Sequence, residues 1–570
     1  MSVVSRSTMI AVLALSSLLT SALGQDAKPS PPDADFSAAD HLYQTGSLAE
    51  AEARYQTLLN GDANNLRAEI GLVQTMLREQ KIDEALDAIN AALSAQPNSA
   101  VLLALKGNVH FRRAEMSEAE VSYLAAKKIE SKQPAAYLGL SQLYRCYSLH
   151  RKAYDELQLA HQVAPDDPSV QRAWLGTLPR KEKLTALKSY LGRPGVEEDE
   201  IKQMSEYLQF LEATADKPIH ACRLVSKVEQ TEAKLETIYP LRHRMPGIGL
   251  RYGVGMPMGR GLAVKINGEK INLLLDTGAS GIILGSEAAD KAGLARISPL
   301  HLGGIGDSGA QRGYAAVADH VRIGDLEFQD CLVSVSEGRA VSDGDGLIGA
   351  NVFASYLVDI DYPDMRLKLS PLAKRPEDKV APRSLISEPD IPANLEQEDG
   401  STSSPPSDPK QNARDSNAPQ RAWNEFFKDR YIAPEMADWT KVYRIGHIML
   451  VPTFVDESKA LLFELDTGAF TNILSLRSGL KADNIVPEED ALRVRGLSGE
   501  AKTVYSGKAT LSFGHLQQTD PAIVILNLSN VSGHTGTEVS GFLGYAMLRL
   551  LDVKLDYRDG LVNFEYRPKH

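Results

Sequence analysis

Apolar positions change their spacing along this chain, and the change divides it. From Phe36 to Asp167 they recur with helical spacing in a 34-residue repeat: Ala51, Ala85, Ala119 and Ala153 are in phase. Tyr55, Ile89, Tyr123 and Leu157 follow four residues on, and Leu58, Ala92, Ala126 and Ala160 three further. Small residues at regular crossing points predict stacked helix pairs. Gly107 marks a close helix approach, and Pro97 and Pro165 close two units. Pro168 to Ala215 predicts a degenerate fifth unit with capping helices, because such a stack must end in a polar face.

From about Ile219 the period becomes two, in short runs broken by glycine. Val264-Lys265-Ile266, Asn267-Gly268 and then Ile271 to Leu275 predict a hairpin that enters an apolar strand. This β region spans 219–372. Residues 373–422 are rich in Pro, Ser, Asp, Glu, Asn and Gln, with Ser403-Ser404-Pro405-Pro406 at their centre. Such a segment has too little to bury and predicts a flexible linker. A second β unit occupies 423–570, with clear alternation from about Tyr443 to Tyr566.

The two β units are copies. Leu275-Asp276-Thr277-Gly278-Ala279 matches Leu465-Asp466-Thr467-Gly468-Ala469, 190 residues later. At that offset Gly306-Asp307-Ser308-Gly309 matches Gly496-Leu497-Ser498-Gly499, and Ile323-Gly324 matches Phe513-Gly514. After a five-residue insertion, Leu347-Ile348-Gly349 pairs with Phe542-Leu543-Gly544, and Asp361-Tyr362-Pro363-Asp364 with Asp556-Tyr557-Arg558-Asp559. An apolar strand delivers each aspartate into a dry place. The glycine lets two such loops approach each other, and the threonine hydroxyl can bond the opposing loop. Two carboxylates held that close share one proton. Asp276 and Asp466 are therefore the candidate catalytic pair, supported by Thr277, Gly278, Thr467 and Gly468.

The repeats resemble the tetratricopeptide family over roughly Phe36 to Asp167, within a helical domain of 36–215 that includes the capping helices. The β units resemble the lobes of retropepsin-like and pepsin-like aspartic proteases. The motif of that family is Asp-Thr/Ser-Gly after an apolar strand, braced by an apolar-apolar-Gly element, here ending at Gly349 and Gly544. The resemblance implies a glycine-rich flap on each lobe, at Gly303, Gly304 and Gly306 and at Gly496 and Gly499. It also implies a protein or peptide partner in the repeat groove. The fold class is then multidomain: an α-solenoid of helix pairs followed by two all-β aspartic-protease lobes.

Other features narrow the class. A net charge of −12 speaks against nucleic acid as a main partner. Arg6, the apolar run Met9 to Leu23 and Ala22-Leu23-Gly24 predict an export signal over 1–24, with no stable membrane insertion after cleavage. The mature chain is then periplasmic or secreted. Cys146, Cys222 and Cys331 allow at most one disulfide, and Cys331 reads as a core residue. No cofactor and no metal is implied. The aspartates near Tyr362 and Tyr557 read as turn formers, and His447 and His515 as residues without catalytic duty. Gly306-Asp307-Ser308-Gly309 looks like a serine-protease loop, but its twin has Leu497 in place of Asp307.

The expected function is hydrolysis of peptide bonds in a peptide or protein substrate bound between the lobes. The repeats would bind a client or gate the cleft. Two rivals are a peptide-binding scaffold without chemistry, and a cleft formed by lobes of two different chains.

Overall fold

A computed structural model of the 570-residue chain describes residues 31–193, 196–215, 222–239, 257–304, 310–338, 344–376, 427–456, 458–479, 483–487, 494–496, 499–501 and 503–567. The predicted signal segment, most of the predicted linker and Gly306 lie outside these residues.

Four helix pairs open the described chain: Pro31–Gln44 with Leu48–Gly61, Leu66–Arg78 with Ile82–Ala95, Ala100–Arg112 with Met116–Ile129, and Pro134–Cys146 with His150–Val163. The in-phase alanines at 51, 85, 119 and 153 are all buried. At Gly107 a Cβ would fall 2.4 Å from the Tyr123 ring, and at Gly139 only 2.2 Å from it. One tyrosine thus fills the space left by two glycines on neighbouring helices. Helices Pro168–Leu175, Arg180–Leu191 and Glu198–Ala213 continue the stack. Among the described residues no helix is long and apolar enough to cross a membrane.

Each β unit builds its own large sheet around a shared pattern. Strand Gly346–Gly349 runs parallel to Glu269–Asp276 and sets Gly349 beside Asp276. Strand Gly541–Gly544 runs parallel to Leu461–Asp466 and sets Gly544 beside Asp466. The lobes of one chain then join in a six-stranded sheet. Its central pairing is antiparallel, between Tyr356–Asp361 and Leu551–Asp556. The sequence counterparts Asp359 and Lys554 face each other across this seam. A hydrophobic core made by both lobes lies over it, with Ile360, Val553, Phe463 and Leu275 among its buried members.

Two details depart from the sequence reading. The predicted linker is pinned at its start: Arg375 pairs with buried Asp559 at 2.5 Å, and Arg558 donates to the Ala373 carbonyl at 2.7 Å. A polar composition hid this, because the partner is a buried acid in the other lobe. Cys331 is buried and also disulfide-bonded to Cys222, while Cys146 is a buried free thiol. The bridge ties the start of the first lobe to its sheet.

The solenoid is not a free arm. Its helices and the turns between them pack on the second lobe, where the helix residues Phe111, Met116, Leu140 and Leu143 share a core with Leu450, Leu462 and Phe542. The Glu538 amide donates to the Arg112 carbonyl at 3.0 Å, and the Arg430 amide to the Ser148 carbonyl at 2.8 Å. Asp429 Oδ1 accepts from the Arg151 amide, at the start of helix His150–Val163, at 3.0 Å.

At the seam, burial and Asp552 push the Asp359 carboxyl up to about 7, against the pull of Lys368 and Lys554. The folded chain therefore keeps a proton that the unfolded chain loses near the ordinary value of about 4. Stability falls as pH rises through that window. Asp359→Asn should be more stable than the parent at pH 8, by on the order of 1 kcal/mol after solvent screening. At pH 4 the two should be alike. Thermal unfolding at both pH values checks this, and an equal gap at both would refute it.

Candidate active site

The two aspartates reach one place because their loops are copies that meet at the seam. Asp276 ends strand Glu269–Asp276 and Asp466 ends Leu461–Asp466. Only 9% and 8% of their surfaces are exposed. Thr467 Oγ1 donates to the Leu275 carbonyl at 2.8 Å, and Thr277 Oγ1 donates to the Leu465 carbonyl. Each hydroxyl also accepts the opposite threonine's amide, at 3.0 Å both ways. Four buried bonds thus lock the loops reciprocally.

The glycines make the approach possible. A Cβ on Gly468 would fall 2.4 Å from the Asp276 carboxyl, and one on Gly278 would fall 3.1 Å from that of Asp466. The Gly278 amide donates to Asp276 Oδ1 at 2.8 Å. The Gly468 and Ala469 amides both donate to Asp466 Oδ1 at 2.9 Å. The bracing glycines are also tight. A Cβ on Gly349 would meet the Ala279 carbonyl, and one on Gly544 the Thr471 carbonyl.

The carboxyls are hydrogen-bonded to each other. Burial raises the pKa of both. Asp276 is raised further by the Asp466 charge, and the loop amides of Gly278 and Ala279 pull it down as those of Gly468 and Ala469 pull down Asp466. The two carboxyls therefore hold one proton between them and titrate as a pair.

The flap residues are less alike than the pattern implied. Strand Ser298–Leu302 pairs with Gln311–Ile323, so Gly303 and Gly304 begin a hairpin tip. His534 from the second lobe lies 3.0 Å from where a Gly303 Cβ would be. In the second lobe, Gly496 and Gly499 pair in a two-stranded hairpin apart from the large sheet. Solenoid helix Glu198–Ala213 lies along the first hairpin: Glu206 contacts His301 Nδ1 at 2.9 Å, and Phe210 packs with Leu300, Ala315 and Leu332.

Sequence reasoning missed two residues here. His447, read as isolated, lies 3.1 Å through Nε2 from the Gly278 carbonyl. Glu464, only 4% exposed, is a third carboxyl beside the pair, and its Oε1 is 2.9 Å from where a Gly278 Cβ would be. Burial and the charges of Asp466 and Asp276 hold it well above the ordinary carboxylate range. The available signal was a lone glutamate in an apolar strand whose twin has Leu274.

The aspartates near Tyr362 and Tyr557 serve turns and ion pairs. Asp361 accepts from the Asp364 amide and pairs with Lys368 and Arg567, and Asp556 accepts from the Asp559 amide. Among the described residues, no group of three or more His, Cys, Asp or Glu is arranged to hold a metal ion.

Comparison with known proteins agrees with both halves. Residues 262–352 match a family model described as aspartyl protease, and residues 42–109 one described as tetratricopeptide repeat. The chain is 32% identical over 108 residues to the UBA domain-containing protein Mud1 of Schizosaccharomyces pombe. That match covers 19% of this chain and spans 31% of the relative's length. Similar solved structures, each 16% identical, include PilF of Pseudomonas aeruginosa (TM-score 0.24, covering 33% of this chain and 83% of that one). Others are a thermophilic tetratricopeptide-repeat protein of Thermus thermophilus (0.26, 31% and 98%) and MamA (0.21, 33% and 96%). The chain carries an aspartyl-protease domain and tetratricopeptide repeats.

The threonine lock predicts an asymmetry between two substitutions. Thr277→Val leaves buried partners unsatisfied and should cost about 2–4 kcal/mol. Thr277→Ser keeps the hydroxyl and should cost under about 1 kcal/mol. Urea unfolding of both variants measures the difference, and equal losses would show that the hydroxyl contributes little.

Proposed function

We propose that this chain is an exported aspartic endopeptidase whose Asp276 and Asp466 together activate a water against a substrate amide. The observation that carries the reading is the reciprocal threonine lock, which holds two buried, hydrogen-bonded carboxyls side by side. The ionised member of the pair draws a proton from a water lodged between the carboxyls. The protonated member donates to the scissile carbonyl as the water attacks. The resulting tetrahedral species collapses as the leaving nitrogen takes a proton, and no bond to the protein forms. The substrate lies extended beneath the flap hairpins, as a strand would.

Export is supported by the Cys222–Cys331 disulfide, a bond that persists in oxidising compartments, and by the N-terminal pattern in the sequence. A client-binding role for the repeats is supported by the family match, with the contact from helix Glu198–Ala213 to the flap hairpin as a route to the cleft.

Cleavage of unstructured peptides by the full chain across pH is the test. Asp276→Asn and Asp466→Asn should each lower kcat by at least about 1,000-fold, with unfolding midpoints close to the parent. The profile should be bell-shaped. Activity falls on the acid side as the pair takes a second proton, and on the alkaline side as it loses the one it shares. Full activity in either variant would overturn the assignment. Absence of cleavage at every pH would favour a peptide-binding scaffold.

A further inference from the structure

The lobes are copies, but the floor of the cleft is not symmetric. On strand Leu461–Asp466, Phe463 and Leu465 point into the core that spans both lobes. Side chains alternate along a strand, so Glu464 shares the face of Asp466. On strand Glu269–Asp276, Leu273 and Leu275 enter that same core, and Leu274 shares the face of Asp276. Leu274 joins a small apolar cluster with Ile238, Ala279 and Leu347. The pseudo-two-fold relation therefore sets an apolar residue on one side of the carboxyl pair and an acid on the other.

Glu464 has nothing in the described chain to neutralise it. Its side chain makes no ion pair or hydrogen bond with a described residue, although only 4% of its surface is exposed. The charges that act on it are Asp466 on its own strand and Asp276 across the lobes, both acidic. From the first lobe the Gly278 backbone faces it, with His447 on the Gly278 carbonyl. From the flanking strands come Leu450 and Phe542. A buried acid without a cation is costly by itself. A cation brought by a ligand would meet a carboxyl already desolvated on folding, so that part of the cost of pairing does not recur at binding.

We infer, resting on the peptidase reading above, that Glu464 selects a lysine or arginine side chain at one of the two positions flanking the scissile bond. Leu274 selects an apolar side chain at the other. The preferred substrate is then a peptide with one basic and one apolar residue across the cleaved bond. Without Glu464 the two sides of the cleft would be equivalent, and both would favour apolar residues.

The test uses the full chain and fluorogenic peptides that differ only in lysine or norleucine at each flanking position. The parent should favour lysine at one position by roughly 30-fold in kcat/KM. Glu464→Gln should erase that preference, and Glu464→Leu should reverse it toward norleucine. The preference at the other position should stay as it was. Fluorescence anisotropy of the same peptides on Asp276→Asn, with and without Glu464→Gln, separates selection from chemistry. If the parent cleaves nothing but binding still favours lysine through Glu464, the peptidase reading falls and the selectivity stands. The inference is overturned if the parent shows no lysine preference in cleavage or binding, or if the preference survives both substitutions.

Discussion

The threonine lock is the constraint on which the rest of this structure depends. Two buried carboxyls stay side by side only where something holds them, and here the holding groups belong to the opposite loop. Because Thr277 bonds the strand that carries Asp466, and Thr467 the strand that carries Asp276, neither loop can set its geometry alone. Glycine at 278 and 468 follows from that, since any side chain would strike the opposing carboxyl. The bracing strands follow too. Gly349 and Gly544 must pass against loop carbonyls without a Cβ, which fixes the height at which each aspartate emerges.

A lock of this kind needs lobes that do not drift. The six-stranded seam supplies this by joining the last hairpin of each lobe through continuous backbone pairing. Charges reinforce it: Asp361 meets Lys368 and Arg567, and Asp559 meets Arg375 and Arg558. The pairing joins two lobes of one chain, so the long segment between them is not asked to hold them together. The solenoid adds a second brace. Its helices share a core with the second lobe while the last of them lies on the hairpin of the first, so it touches both sides of the cleft.

Periodic features were legible in the sequence, and contacts between distant segments were not. The 34-residue repeat announced the helix pairs because each unit must bury the same small residues. The duplicated Asp-Thr-Gly announced two lobes because both copies keep the strand before it and the brace after it. The docking of the solenoid carried no such mark. Phe111 and Leu143 look like ordinary repeat-core residues, and only the fold shows that they also cover Leu462 and Phe542. Cys222 and Cys331 lie 109 residues apart, and no spacing rule links them. Arg375 falls in a polar stretch whose composition describes its average and not its first residues. His447 looked isolated because its contact, the Gly278 carbonyl, lies 169 residues away in the other lobe.

Duplication explains both what is shared and what differs. A loop copied onto itself produces a two-fold site whose halves must remain alike wherever they touch, so aspartate, threonine and glycine recur in both. One step back along each strand that requirement lapses, because residues 274 and 464 do not meet across the axis. Leu274 keeps to an apolar cluster, while Glu464 places an acid beside two others at a cost in burial that no cation of the described chain offsets. A carboxyl placed there for stability alone would do better as leucine, as its twin shows. The natural account of the difference is that it serves whatever lies in the cleft, which is also where an extended substrate would first distinguish one lobe from the other.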